Sequence, residues 1–232
     1  MDVTERSLWR HRDFMKLWTG QTVSELGSVV TRTALPIAAV LTLHATAFEV
    51  GILVASASTA VLLVGLFAGA LVDRSRRRPL MIASDGIRAV LLLSIPAAAI
   101  AGTLRIEQLY VVAFIEAALG SIFDIAYRTY LRSLLPSDRL LEGNAKIGIT
   151  GTIGEIGGPG LAGGLVQLIT APLALLVDAI SFVFSAISIA LIVTPERAVA
   201  RAERPIGLRR ELADGSARSR VTRSSGRWPS PR

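Results

Sequence analysis

Nine ionisable side chains stand inside long apolar blocks: Glu25, Asp85, Glu116, Asp124, Glu155 and Asp178, with Arg32, Arg88 and Arg128. A charge at the centre of a bilayer costs at least ~2.5–3.5 kcal/mol on insertion scales, so each should face a partner, a watery cavity or a bundle interior. Glu25 and Arg32, seven residues apart, share one helix face about two turns apart. Asp85 with Arg88, and Asp124 with Arg128, stand at the spacings that permit direct pairing along a helix. These two pairs are expected near the basic ends of their blocks, where local pairing and a part in gating are equally open. Glu25, Arg32, Glu116 and Glu155 fall closer to the middle and are the candidates for lining a cavity for substrate or protons. Asp178, near the far end of its block, reads as structural.

Other chemistries lack their residues. There is no cysteine, hence no disulfide, thiolate metal site or cysteine nucleophile. The two histidines, His11 and His44, flank one apolar block at opposite ends, too far apart for a shared metal or haem. No nucleophile–histidine–acid set and no cofactor fingerprint is present, so neither an enzyme nor a bound cofactor is expected. The net charge of +7 does not point to nucleic acid, because the arginines gather at block ends and in the carboxy-terminal tail rather than in a binding patch.

The elements that must hold these groups follow from hydropathy. Of 232 residues, 51% are hydrophobic, and they come in blocks long enough to cross a bilayer, which takes roughly 20 apolar residues. The reading is an all-α membrane protein with six transmembrane helices, at about 19–43, 50–72, 80–101, 108–131, 147–169 and 172–193, in contact with lipid. Residues 1–18 form an amphipathic interfacial segment, with Trp9, Phe14, Leu17 and Trp18 among Arg10, Arg12 and Lys16. The first apolar block is too long for a signal-peptide core, so it is expected to be retained. Residues 195–215 read as an amphipathic linker, and 216–232, without an acid or a leucine, as a disordered tail. Basic residues mark alternate connections: Arg6, Arg10, Arg12 and Lys16 before the first span, Arg74 and Arg76–Arg78 after the second, Arg132, Arg139 and Lys146 after the fourth. The connections between them carry only Arg105, so both termini are expected to be cytoplasmic.

Two motifs carry a resemblance. Gly69-Ala-Leu-Val-Asp73-Arg74-Ser-Arg76-Arg77-Arg78-Pro79-Leu80 resembles the signature loop of the major facilitator superfamily, with Gly69, Leu71, Asp73, Arg74, Arg77 and Arg78 matching and Arg76 in place of the usual glycine. The resemblance implies that Gly69, Asp73, Arg74, Arg77 and Arg78 help lock one state of the bundle, and that Asp124 answers Arg77. In the fifth span Gly154, Gly158, Pro159, Gly160, Gly163 and Gly164 resemble the glycine-proline signature of antiporter-type exporters, with the spacing between the proline and the final glycines differing by one residue. Glycines four apart, with Gly65 before Gly69 as a second case, permit close helix packing. The stretches GQTVSELGSVVTRTALP, FDIAYRTYLRSLLP and ALLVDAISFVFSAIS look like the enterobactin and macrolide exporters of that superfamily. The fourth span lacks the arginine of many drug–proton antiporters; Glu116 stands near its place.

The resemblance implies the amino-terminal half of a transporter fold, a 3+3 inverted repeat in the bacterial cell membrane. It implies efflux of a small organic solute by alternating access, coupled to protons as in an antiporter. The half-length form leaves further readings open: a truncated product whose tail is a shifted reading frame, a chain completed by a second copy or a missing carboxy-terminal half, or a non-transporting membrane scaffold.

Overall fold

The computed structural model describes residues 8–194; the linker and tail expected at 195–215 and 216–232 lie outside the described residues. Among the described residues there are six long helices and no strand: α1 (Arg12–Leu43), α2 (Ala47–Arg74), α3 (Arg77–Ile100), α4 (Ile106–Leu134), α5 (Leu140–Ile169) and α6 (Ala171–Ala190). Five of them are long and apolar enough to cross a membrane. The exception, α5, has the length at 30 residues, but its glycines and the polar Asn144, Lys146 and Glu155 dilute its apolarity.

The six spans stand where hydropathy puts them, but most helices overrun them. The segment expected at the interface before residue 19 is continuous with α1 from Arg12. Its Phe14 and Leu17, with Leu8 ahead of them, are buried because they complete a cluster with Met81, Phe123 and Tyr130. Trp9 stays exposed, edge-on to Trp18 at 5.3 Å and under the Lys146 ammonium at 3.9 Å. At the start of α2, Thr46 and Glu49 form a reciprocal capping box that satisfies amides no helix turn can reach.

Packing follows an internal symmetry. α1 lies along α6 and α3 along α4; α5 packs on α1 and α2 on α4; α3 meets α6 at the centre. Exchanging the first three helices for the last three maps this set onto itself, as the inverted 3+3 repeat requires. α2 and α5 are thereby left on the flanks with long exposed apolar faces, including Leu62, Leu66 and Phe67 on α2 and Ile149, Ile153 and Ile156 on α5.

The seam between α1 and α6 is made of small residues. Gly20, Ser24, Gly27, Ser28 and Thr31 recur at helical spacing on α1, facing Asp178, Ser181, Ser185 and Ser188 of α6. A side-chain carbon at Gly27 would come within 2.8 Å of Ser181 Cβ, so only glycine fits. The two ends of the bundle also meet: the Asp13 carboxylate accepts hydrogen bonds from the Thr194 amide at 2.8 Å and the Val193 amide at 3.3 Å. The chain therefore enters and leaves at one end. That end carries the Arg74–Arg78 connection, which the positive-inside rule assigns to the cytoplasm.

Candidate functional site

Two apolar clusters fill the bundle, one around Leu92, Leu109 and Phe182 and the other around Phe14, Phe123 and Tyr130. Between them lies a polar layer drawn from four helices: Ser28 and Thr31 of α1, Asp85 and Arg88 of α3, Glu116 of α4, and Asp178 and Ser181 of α6. Arg88 is its centre. The guanidinium is 7% exposed, donates through Nε to Glu116 at 3.2 Å and again through Nη2, and lies 3.4 Å from Ser28 Oγ. Its carbon sits 3.9 Å from the centroid of the Phe182 ring, a cation–π contact shielded from water. Asp178 accepts from Thr31 at 2.5 Å and from Ser181 at 2.9 Å, which ties α1 to α6 and agrees with a structural part. Asp85 is fully buried, with the Ser185 side chain of α6 beside its carboxylate and Arg88 3.9 Å away.

On one side this layer opens into a cavity of about 350 Å³ between α1, α2 and α4. Glu25, Arg32 and Glu116 all line it, together with Arg88, Ser28 and Asp124. Arg32 donates to Glu25 at 2.9 Å, so the two-turn spacing becomes an ion pair on the cavity wall. Three of the four expected cavity residues are thus brought together. The fourth, Glu155, is not: it points outward from α5 and lines neither this cavity nor the larger one below.

Two pairing expectations change. Arg88 is not near a helix end, because α3 begins at Arg77 and places it about 16 Å along the axis at 1.5 Å per residue. From there it reaches across to α4, and Glu116 rather than Asp85 is its closest partner. Asp124 and Arg128 form no ion pair with each other or with any described residue; both side chains are exposed and line a second cavity. That cavity, of about 580 Å³, opens between α1, α4 and α5 toward the basic end.

The signature segment is not a free loop. Asp73 and Arg74 end α2, only Ser75 and Arg76 intervene, and Arg77 and Arg78 begin α3. Arg78 donates through Nε to the Ile189 carbonyl at 3.2 Å and through Nη2 to the Ala190 carbonyl at 2.5 Å. These are carbonyls of the last turn of α6, where a cation suits the helix dipole. Lys16 joins them through the Leu191 carbonyl at 2.6 Å. Asp73 and Arg74 are exposed, and Arg77 is half-buried.

The packing glycines divide. Gly158 is pressed against the Val29 side chain of α1, and Gly154 is within ordinary contact of Leu26 and Val29. Gly65, Gly69 and Gly163 have no neighbouring atom within 4 Å of where a Cβ would stand, so the close packing expected of them is not made within this chain. They lie on α2 and α5, the flanking helices. Pro159 is exposed and α5 runs through it unbroken. The residues that sequence reasoning undervalued are Arg88, Asp178 and the α1–α6 seam. The seam's small-residue spacing is visible at Gly20, Ser24 and Gly27 and at Ser181, Ser185 and Ser188.

Comparison with known proteins agrees with this architecture. The family model described as Major Facilitator Superfamily matches residues 17–226. The chain is 27% identical over 184 residues to a protein named "Uncharacterized MFS-type transporter YfiS" from Bacillus subtilis (strain 168), covering 79% of this chain and 43% of that protein. The chain therefore spans less than half the length of this curated relative. No solved structure gives a significant match. A matching family model over most of the sequence, on a six-helix membrane bundle with an inverted repeat, gives the family: this chain belongs to the Major Facilitator Superfamily.

Proposed function

We propose that the chain forms one half of an export pathway for a small organic solute in the bacterial cytoplasmic membrane, working by alternating access and coupled to protons. The observation that carries this reading is the cavity of about 350 Å³ on which Glu25, Arg32, Glu116 and Arg88 converge. Charges at this depth are costly unless water or a solute reaches them. The Arg88–Glu116 pair is a natural coupling element, because it ties α3 to α4 at the cavity wall and its breaking frees the guanidinium to repack. Export as the direction and protons as the coupling ion rest on the resemblance to the enterobactin and macrolide exporters.

The unpartnered apolar flanks of α2 and α5, and the coverage of 43% of the relative, support completion by a second six-helix body. That body is a second copy or a carboxy-terminal half. On this reading Gly65, Gly69 and Gly163 pack against it, and Asp73, Arg74 and Arg77 latch it on the cytoplasmic side.

The test uses everted vesicles from cells expressing the full chain. Acidifying the lumen should drive accumulation of a cationic dye such as ethidium, and Glu116→Gln should abolish this at unchanged protein level. Accumulation equal to that of vesicles without the protein, or indifferent to collapse of the proton gradient, would refute the reading.

A further inference from the structure

We propose that the apolar groove where α1, α5 and α6 meet seats one acyl chain of an outer-leaflet phospholipid, and that this chain completes the packing of α5. The groove, of about 470 Å³, runs between Val23 and Val30 of α1, Leu161 and Leu165 of α5, and Val177 and Phe184 of α6. Seven residues along α1 and seven along α6 give it a length of about 10 Å, parallel to the helices. It lies on the reverse of α1 from the charged cavity. Val23 and Val30 each stand two residues from Glu25 and Arg32, a step that carries a side chain to the far side of a helix. Ile180 and Phe184 on its α6 wall are exposed, so the groove opens sideways and is continuous with the surface that meets lipid.

The groove exists because the inverted repeat is uneven. α2 lies closely along α4, whereas its counterpart α5 meets α1 less extensively. One turn before and one turn after Leu161, Gly157 and Gly164 leave open space where a side chain would stand. A slot left empty forfeits dispersion contacts on every wall. Its occupant needs neither charge nor hydrogen bonds. No charged residue lines it, and the hydroxyl of Ser181 is already given to the Asp178 carbonyl at 2.8 Å and carboxylate at 2.9 Å. Water finds too few polar partners to stay there. An acyl chain is apolar throughout, narrow, and aligned with the helices in the adjoining bilayer. The connection at the outer end is Thr170 alone, with no basic residue to hold a phosphate, so the chain and not the headgroup is recognised. The site stands or falls without reference to transport.

The test uses the full chain reconstituted with a phospholipid that carries a photoactivatable diazirine midway along one acyl chain. One portion is illuminated directly and another after a wash in unlabelled detergent, and the adducts are mapped by peptide mass. Before the wash, Val177 and Ile180 of α6 should be labelled, and so should Val54 and Leu62 of α2, which are exposed at matching depth. After it, the groove should keep its adduct and α2 should lose its own. Probes with glycerol and ethanolamine headgroups should behave alike. Val177→Trp, which fills the groove from its rim, should abolish the retained adduct, and Ile187→Trp, exposed on the same helix outside the groove, should leave it. If Val177→Trp does not fold, the wild-type contrast between α6 and α2 decides alone. Four outcomes would overturn the proposal: equal loss from both helices, a groove left unlabelled because a protein partner covers it, dependence on the headgroup, or an adduct that survives Val177→Trp.

Discussion

Replacing Gly27 with alanine tests whether the α1–α6 seam holds this bundle together. The new carbon would lie 2.5 Å from Asp178 Oδ1 and 2.8 Å from Ser181 Cβ. The carboxylate can swing, but a Cβ cannot move without its helix. Forcing one carbon into a closed contact costs ~1–3 kcal/mol. The shift that relieves it also pulls Thr31 from Asp178, a hydrogen bond worth ~1 kcal/mol. Alanine's better helix propensity returns ~1 kcal/mol. The net loss is ~2 kcal/mol, which for a chain of this size lowers the unfolding midpoint by ~4–8 °C. Gly86→Ala, on α3, is the matched control: nothing lies within 4 Å of its added carbon, so only the propensity gain remains, a rise of ~2–4 °C. The assay is thermal unfolding of the purified chain in detergent, followed by loss of the monodisperse peak. If Gly27→Ala melts at or above wild type, or the two substitutions shift the midpoint alike, the seam is not the close contact described here.

The other predictions concern charge, capping and topology. Arg88→Leu leaves Glu116 and buried Asp85 without their cation and should cost ~3–5 kcal/mol in the same assay, while the triple replacement Arg88→Met, Glu116→Met and Asp85→Asn should recover most of it, because neither acid paired with Arg88 is then left stranded. Arg78→Ala removes two bonds to the end of α6; partial exposure limits the loss to ~1 kcal/mol, read as faster hydrogen exchange confined to the last turn of α6. Thr170, the single residue linking α5 to α6, has φ 76° and ψ 155°, a region open in practice only to glycine. Thr170→Gly should therefore raise the unfolding midpoint by ~2–4 °C, corresponding to ~1 kcal/mol of relieved strain. The chain has no cysteine, so single cysteines report topology cleanly: Ser75→Cys should react with a membrane-impermeant maleimide only in everted vesicles, and Thr103→Cys only in intact cells.

Much of this architecture was legible because lipid imposes a simple code. A helix that must satisfy its own backbone across hydrocarbon announces itself by length, and arginines mark the connections on one side. The spans therefore fell within a few residues, except where a helix continued past the hydrocarbon, as α1 does back to Arg12. Glu25 with Arg32 was readable because both groups sit on one helix, where spacing fixes geometry. Arg88 with Glu116 was not, since they lie 28 residues apart and their meeting depends on the rotation of α3 against α4. The same limit applied to Asp124 and Arg128: their spacing permits a pair, but the open cavity beside them lets each side chain turn away. Glu155 failed as a cavity residue because glycine-rich α5 presents Gly154 and Gly158 to α1, and that choice turns Glu155 outward.

The grip of Asp13 on Val193 and Thr194 has a mechanical consequence. Any tug delivered at residue 194 is borne by the root of α1 as well as by α6, so the load is shared instead of peeling one rod from its end. α1 also bears Glu25 and Arg32. Displacement at the membrane surface is thereby geared directly to the wall of the chamber, with no intervening joint.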